Sequence, residues 1–426
     1  MSIETIYALS SGRPPAAVSI VRISGPSAHD AGRTLAGRLP RARQAGLRAL
    51  RSGDGDILDE ALVLRFDAPA SSTGEDIVEL HCHGGRAIVA AVLAELESIP
   101  GLRLALPGEF TRRAFENGRI DLTEAEGLAD LIEAETESQR KAALAMAGGG
   151  LRRQVEQWQD RVLQLSARAE AAIDYVDEDD VDHDPTLTDE CASLAEELAR
   201  WLALPRAEPL KDGIRVVVAG PPNSGKSSLI NALAGQERAI VTSIPGTTRD
   251  LVEVPLALGG MPIVLTDTAG LRETEDEVER IGVDRARSRA ASADVLIWLG
   301  DAENAPSGDR VIRVHGRSDL PGRQSAPTGY LAVSSVNGDG LSDLAARIQS
   351  LGRTLLPSEG EVALNARQTV ALEEAYDALT VGSVANEISV LAESLRSARL
   401  AFDRLTGGAG VEDMLDALFG SFCLGK

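Results

Sequence analysis

The eight residues Gly220-Pro-Pro-Asn-Ser-Gly225-Lys226-Ser227 constrain the folding of this 426-residue chain more than any other segment. They match G-x-x-x-x-G-K-[ST]. An apolar run from Ile214 to Ala219 precedes them and reads as a strand, and Ser227 to Ala234 reads as the helix that follows. In such a loop the main-chain N–H groups wrap phosphates at a helix N-terminus, where the helix dipole favours negative charge. Lys226 then reaches the β- and γ-phosphates and the Ser227 hydroxyl ligates Mg²⁺, with Asn223, Ser224, Gly225 and Ser228 beside them. The chain has four lysines (Lys141, Lys211, Lys226, Lys426) against 39 arginines. A lysine kept in that setting points to a position needing a compact ammonium on a slim stem.

Strand–loop–helix alternation continues downstream. Met261 to Thr266, Asp294 to Leu299, Val311 to Val314 and Tyr330 to Val333 are short apolar runs, most of them separated by helical stretches, which is the pattern of a doubly wound α/β domain over residues 211–354. On both sides the period is 3.6. Residues 119–210 carry a capping-box signature at Thr123 and Glu126, then a stripe of Leu151, Val155, Trp158, Val162, Leu165, Ala169 and Ile173. Asp174 to Asp184 reads as a solvated turn, and residues 355–426 return to helix. Residues 1–118 mix strands (Ala16 to Ile23, Ala61 to Phe66) with a helix from Ala87 to Leu96, an α+β pattern. The expectation is a multidomain chain in which an α/β P-loop domain is inserted into a helical one behind an independent N-terminal domain.

The motifs after the phosphate loop favour a guanine-nucleotide domain. Asp267-Thr268-Ala269-Gly270 ends a strand as the D-x-x-G element does, its Asp holding Mg²⁺ through water and its Gly amide meeting the γ-phosphate. Thr242-Ser243-Ile244-Pro245-Gly246-Thr247-Thr248 stands where switch I belongs, with Thr248 the second Mg²⁺ ligand. The base-reading motif N-K-x-D is degenerate: the segment is Gly316-Arg317-Ser318-Asp319, so Asp319 survives for N1 and N2 while the Asn is absent. Val333-Ser334-Ser335 follows as the element whose amide meets O6. Weakened guanine affinity or selectivity is expected. Leu271 occupies the place of the glutamine that orients water in Ras-like proteins, so another group must serve.

Composition narrows the partners. A net charge of −22 argues against a broad basic nucleic-acid face, and 3% aromatic residues against single-strand stacking platforms. The three cysteines, Cys82, Cys191 and Cys423, are widely spaced without CxxC, which points to neither a disulfide framework nor a zinc site. His81 and His83 lack further ligands at metal-binding spacing. No apolar stretch approaches 18 residues, so the expectation is a cytoplasmic protein with no membrane segment.

Taken together, the inserted P-loop domain, Asn223, Ile244-Pro-Gly-Thr-Thr-Arg-Asp250, Asp267-Thr-Ala-Gly-Leu-Arg272, the Glu279-Arg-Ile-Gly segment and terminal Phe422-Cys423-Leu-Gly-Lys426 resemble the MnmE (TrmE) family of tRNA-modification GTPases. Val21-Arg-Ile-Ser-Gly25, His81-Cys-His-Gly-Gly85 and Leu106-Pro-Gly-Glu-Phe-Thr111 extend the resemblance to nearly the whole chain. The resemblance implies a Ras-like G domain whose hydrolysis depends on K⁺, held by Asn223, Thr242, Ile244 and Thr247, with Glu279 orienting the attacking water. It implies an N-terminal folate-binding domain at a homodimer interface, in which Arg22, Glu79, Arg119 and Lys426 hold 5-formyl- or 5,10-methylene-tetrahydrofolate and Cys423 assists one-carbon transfer. It also implies an FAD-carrying MnmG (GidA)-type partner and, through that complex, tRNA whose wobble uridine receives a carboxymethylaminomethyl group at C5. The alternative is a ribosome-assembly GTPase switch, which shares the phosphate-loop Asn and the apolar residue after D-x-x-G but carries basic RNA-binding appendages.

Overall fold

The structure, a computed structural model, describes residues 4–174, 185–236, 238–239, 253–267, 293–358, 360–408, 412–422 and 425. The chain divides into two compact units, residues 1–129 with 406–426, and residues 130–405.

In the first unit, strands β1 (Thr5–Leu9), β2 (Val18–Ser24), β3 (Gly46–Arg51), β4 (Ile57–Phe66), β5 (Ile77–His83) and β6 (Leu102–Leu104) form one sheet in the order β3-β4-β5-β2-β1-β6. All its pairings are antiparallel except β1 with β6. Alternation along β2, β4 and β5 sends Val21, Ile23, Val63, Val78, Leu80 and Cys82 to one face. There they are buried against helices Ala28–Ala36 and Arg86–Ser98, through Leu35, Val92 and Leu96. Burial pushes the Cys82 thiol up to about 12, with the Asp59 charge adding to it, so Cys82 is an inert apolar filler. On the other face, helix Glu109–Glu116 lays Phe110 over Ile6 and Ala8.

A smaller core joins Phe115, Leu122 and Ala125 to Leu415 and Phe419 of the last helix, Glu412–Gly420, and to Phe422 just after it. Aromatic pairs at 6.2 and 6.1 Å between ring centroids hold it. Residues 119–129 and the last helix thus share a compact unit with the N-terminal sheet. Glycine is required at this junction: Gly108 has φ +68, and a Cβ there would lie 2.2 Å from the Phe419 carbonyl oxygen. The helix Leu122–Glu133 also starts differently from expectation. Its capping box is Asp121 and Glu124, with Glu124 N donating to Asp121 Oδ1 (2.8 Å) and Asp121 N to Glu124 Oε2 (2.9 Å). Thr123 lies inside the first turn, fully buried, and donates to the same Asp121 oxygen.

The second unit has two large cores among its described residues. Helices Gly150–Asp174, Pro185–Leu202, Ala366–Ser383 and Ile388–Thr406 enclose Trp158, which is stacked on Phe402 (5.7 Å) and edge-on to Trp201 (5.5 Å). The Leu151-to-Ala169 stripe is buried as its spacing predicts, while Ile173, at the helix end, is 40% exposed. Asp174, where the sequence suggested a turn would begin, is the last residue of helix Gly150–Asp174, and residues 175–184 lie outside the described residues.

Between the helices Pro185–Leu202 and Ala366–Ser383 the chain forms a sheet of β7 (Ile214–Ala219), β8 (Arg238–Ala239), β9 (Glu253–Leu258), β10 (Met261–Asp267), β11 (Val295–Trp298), β12 (Val311–Gly316) and β13 (Leu331–Val333). Their order is β13-β12-β11-β7-β10-β9-β8, parallel apart from the antiparallel β8 and β9. Helices Lys226–Gln236 and Leu341–Arg353 cover it, completing the expected inserted α/β domain. The strand order reverses at β7, which puts the loop after β7 at the crevice where open α/β sheets bind ligands.

Candidate nucleotide site

The loop after β7 is shaped by three left-handed or glycine-only turns. Gly220 has φ +153, and a Cβ there would lie 2.4 Å from the Leu299 carbonyl oxygen; Gly225 has φ +100. Asn223, at φ +60, is one of three non-glycine residues with positive φ among the described residues. These turns wind the loop onto the N-terminus of helix Lys226–Gln236, where the helix dipole favours an anion. Lys226 is buried, and its Nζ donates to the carbonyls of Gly220 (3.0 Å) and Pro221 (2.9 Å). Burial pushes its pKa below the usual lysine value, opposed by the nearby Asp267 carboxylate. An arriving phosphate therefore meets a charge with little water to displace.

Parallel pairing of β10 with β7 sets Asp267 opposite Val218, beside the helix start. Ser227 Oγ donates to Asp267 Oδ2 at 2.5 Å, and Asp267 is buried. A hydroxyl and a carboxylate oxygen converging so closely form the hard-oxygen set that Mg²⁺ prefers.

Beyond the loop, a cavity of about 220 Å³ opens between Ser224, Leu229, Leu299, Val314, Arg317 and Asp319. Gly225 and Ser228 also line it. Asp319 Oδ1 accepts from Ser334 Oγ (2.7 Å), a fully buried hydroxyl, which leaves its other oxygen for a ligand. Arg317, with φ +61, turns its guanidinium to the phosphate loop and donates from Nη2 to the Asn223 carbonyl at 2.5 Å. That tether spans 94 residues of sequence and had no signal in the motif. Thr242, Ser243, Ile244, Pro245, Gly246, Thr247, Thr248, Thr268, Ala269, Gly270 and Glu279 lie outside the described residues.

In the first unit, the β2–β5 register sets Arg22 opposite Glu79. The Arg22 guanidinium donates to Glu79 Oε1 (3.0 and 2.9 Å) and sits 5.6 Å from the Phe110 ring centroid, while His81 Nε2 is 3.3 Å from Glu79 Oε2. Arg119 follows helix Glu109–Glu116, and its stem carbons lie against Gly74; among the described residues it makes no hydrogen bond or ion pair with Glu79. Cys423 and Lys426 lie outside the described residues, but Gly425 between them is buried, with room for no Cβ beside the Leu9 carbonyl.

Two clusters were missed by sequence reasoning. Arg113 is buried between Glu75 and Glu109, discussed below. His29 lies between two aspartates, with Nε2 3.5 Å from Asp67 Oδ1 and 3.1 Å from the Phe66 carbonyl, and Nδ1 3.4 Å from Asp76 Oδ2. One ion cannot use both nitrogens of one ring, and Arg65 already holds Asp67, so this is an ion clasp rather than a metal centre. His83 and His81 likewise take separate carboxylates, Asp59 and Glu79.

Comparison with known proteins agrees over the whole chain. A family described as "GTP-binding protein TrmE N-terminus" matches residues 5–119, and one described as "MnmE helical domain" matches residues 122–423. The protein called "tRNA modification GTPase MnmE" in Erythrobacter litoralis is 53% identical over 99% of this chain and 100% of its own length. Its namesake in Rhizorhabdus wittichii is 55% identical over 99% of this chain and 97% of its own length, and that of Novosphingobium aromaticivorans 51% over 99% and 100%. With a phosphate loop, a Ser–Asp oxygen pair and an adjoining cavity in one α/β domain, and relatives alike from end to end, the chain belongs to the MnmE family of tRNA modification GTPases.

Proposed function

We propose that the chain is a K⁺-dependent GTPase that works as a cytoplasmic homodimer with an FAD-carrying MnmG-type partner. Together they add a carboxymethylaminomethyl group to C5 of the wobble uridine of certain tRNAs, using a tetrahydrofolate one-carbon unit. The reading rests most on Asn223. Its left-handed backbone stands it at the exposed rim of the phosphate loop, and its side-chain amide makes no hydrogen bond to the described residues. Leu271 follows Asp-Thr-Ala-Gly270 and brings no polar group to water, so hydrolysis needs charge from elsewhere.

The chain's own groups divide the work. Lys226 clamps the β- and γ-phosphate oxygens. Ser227 and Thr248, with Asp267 through water, would hold Mg²⁺, and Asn223 with Thr242, Ile244 and Thr247 would hold K⁺; such cations would supply positive charge to the developing phosphate charge. Glu279 orients the attacking water. In residues 1–118, Arg22 fixes Glu79, whose carboxylate accepts from a pterin amino group, while Arg119 and Lys426 suit the glutamate tail. Cys423 would assist the one-carbon transfer. Among the described residues no helix is long and apolar enough to cross a membrane, and the acidic charge suits a subunit that leaves most tRNA contact to its partner.

Two measurements test the reading. GTP hydrolysis in KCl is expected to exceed that in NaCl of equal ionic strength by roughly tenfold or more, the effect of one fixed charge at the developing oxyanion. Equal rates remove the K⁺ assignment. A strain lacking this chain is expected to lose the carboxymethylaminomethyl nucleoside from digested tRNA, seen by mass spectrometry; an unchanged nucleoside profile refutes the modification.

A further inference from the structure

We infer that this chain identifies its nucleotide as a 2-amino-6-oxopurine from the Watson–Crick edge alone, leaving N7 of the base unread, and that Arg317 takes over mechanically for the missing asparagine. The inference rests on the reading of Asp319 as the residue that accepts from N1–H and the 2-amino group.

A side chain at the first position of the N-K-x-D element reaches the N7 and O6 side of guanine and braces the base loop. Here that position is Gly316, the last residue of β12, with no side chain to offer. Among the described residues, the atoms nearest that position offer no substitute. The nearest atoms to a Cβ built there are Leu299 Cδ2 at 3.3 Å and the Ser224 carbonyl oxygen at 3.7 Å, one apolar and one an acceptor, and N7 is itself an acceptor. The Ser224 hydroxyl is buried without a partner, but it lies under the loop, 3.1 Å from where a Gly220 Cβ would stand. Arg317, the neighbouring cation, turns its Nη2 to the Asn223 carbonyl, away from the position that the asparagine side chain would take. Asp319 differs: Ser334 holds one of its oxygens and presents the other. A carboxylate fixed in this way strongly penalises a base that cannot donate to it, whereas an edge that meets no protein group costs nothing when altered.

Two roles that usually share one asparagine are thus separated. Base reading falls to Asp319 and the main chain near Ser335. Bracing falls to the Arg317–Asn223 bond, which joins the base loop to the residue standing over the phosphates.

The test is competition of unlabelled nucleotides against a fluorescent GDP derivative on the full chain with Mg²⁺. We expect 7-deaza-GDP, which has C–H in place of N7, to bind within threefold of GDP. IDP, lacking the 2-amino group, should bind at least about tenfold more weakly, the cost of one unpaired buried acceptor. Gly316→Asn needs only a small shift of the flexible Leu299 methyl, and should create a preference for GDP over 7-deaza-GDP of threefold or more. Arg317→Ala should weaken GDP and 7-deaza-GDP by the same factor, since the brace is blind to N7. A loss beyond threefold for 7-deaza-GDP on the unaltered chain overturns the inference while leaving Asp319 as the base reader. ADP or IDP binding as tightly as GDP removes the Asp319 reading itself, a separate failure. The unaltered chain decides the matter whether or not the variants fold.

Discussion

Lys226→Ala is expected to lower kcat/KM for GTP hydrolysis by about 10³-fold, with the circular dichroism spectrum unchanged. The ammonium is held inside the loop by two carbonyls at 3.0 and 2.9 Å and is 5% exposed, so its charge acts through little water. A fixed donor aimed at developing phosphate charge in such a site is worth roughly 10²–10³ in rate. Lost binding of the same oxygens in the ground state adds to that. Burial already pushes this lysine below its usual pKa, which means the fold bears a desolvation cost that an anionic ligand relieves. Lys226→Arg should not rescue, because a planar fork cannot fit between the Gly220 and Pro221 carbonyls while presenting one charge forward. Stability should hardly change, since those carbonyls lie at the loop and water can replace the ammonium. Phosphate-release kinetics across a GTP series separate the kcat and KM parts. A variant within tenfold of the parent would show that the loop is not the phosphate clamp.

The phosphate loop was legible because its function is carried by backbone geometry, and the glycine and lysine spacing dictates that geometry locally. Asp267 was legible for a related reason: a strand ending in Asp-x-x-Gly needs only parallel pairing with β7 to arrive beside Ser227. The helical stripe around Trp158 followed from periodicity. What stayed hidden depends on pairings across long sequence separations. Arg22 and Glu79 meet because β2 and β5 pair in one particular register, which neither strand announces by itself. The Arg317–Asn223 bond needs two left-handed residues on different loops. Helix starts failed more locally. Thr123 and Glu126 satisfy the capping pattern as well as Asp121 and Glu124 do, and the choice between them is made by burial, since Thr123 lies in the small core side of the helix. The packing of the last helix against Phe115 and Leu122 was invisible for the same reason as the strand registers: three phenylalanines, Phe115, Phe419 and Phe422, find one another across some three hundred residues, and an amphipathic period says nothing about which partner it will meet.

Arg113→Met is expected to destabilise the first unit by about 3–5 kcal/mol, the usual cost of leaving buried charge without its partner. Arg113 is 9% exposed and joins two carboxylates of similar burial. Its Nη1 donates to both Glu75 oxygens at 3.1 Å and its Nη2 to Glu109 Oε1 at 3.0 Å. The two acids are not left equally exposed by its removal. Glu109 keeps Arg103, at 2.6 and 2.8 Å, and the Leu106 amide, whereas Glu75 keeps only the Ser24 hydroxyl at 2.7 Å. The penalty therefore falls on Glu75, and Arg113→Met with Glu75→Leu should recover most of it, because apolar replacement of a whole buried pair is often neutral. Acid adds a second signature. Burial alone would raise the Glu109 carboxyl, but the Arg103 guanidinium, the Leu106 amide and Arg113 outweigh it and hold its pKa below the usual value. A carboxyl depressed by folding contributes stability that is complete above its unfolded pKa of about 4.3 and is lost as pH falls through the lower folded value. Calorimetry of the full chain should show the first unit's transition falling steeply between those limits in the parent and more gently in Glu109→Gln. If Arg113→Met alone unfolded at the parent's temperature, the guanidinium would be a spectator and the helix Glu109–Glu116 would be held by Phe110 without it.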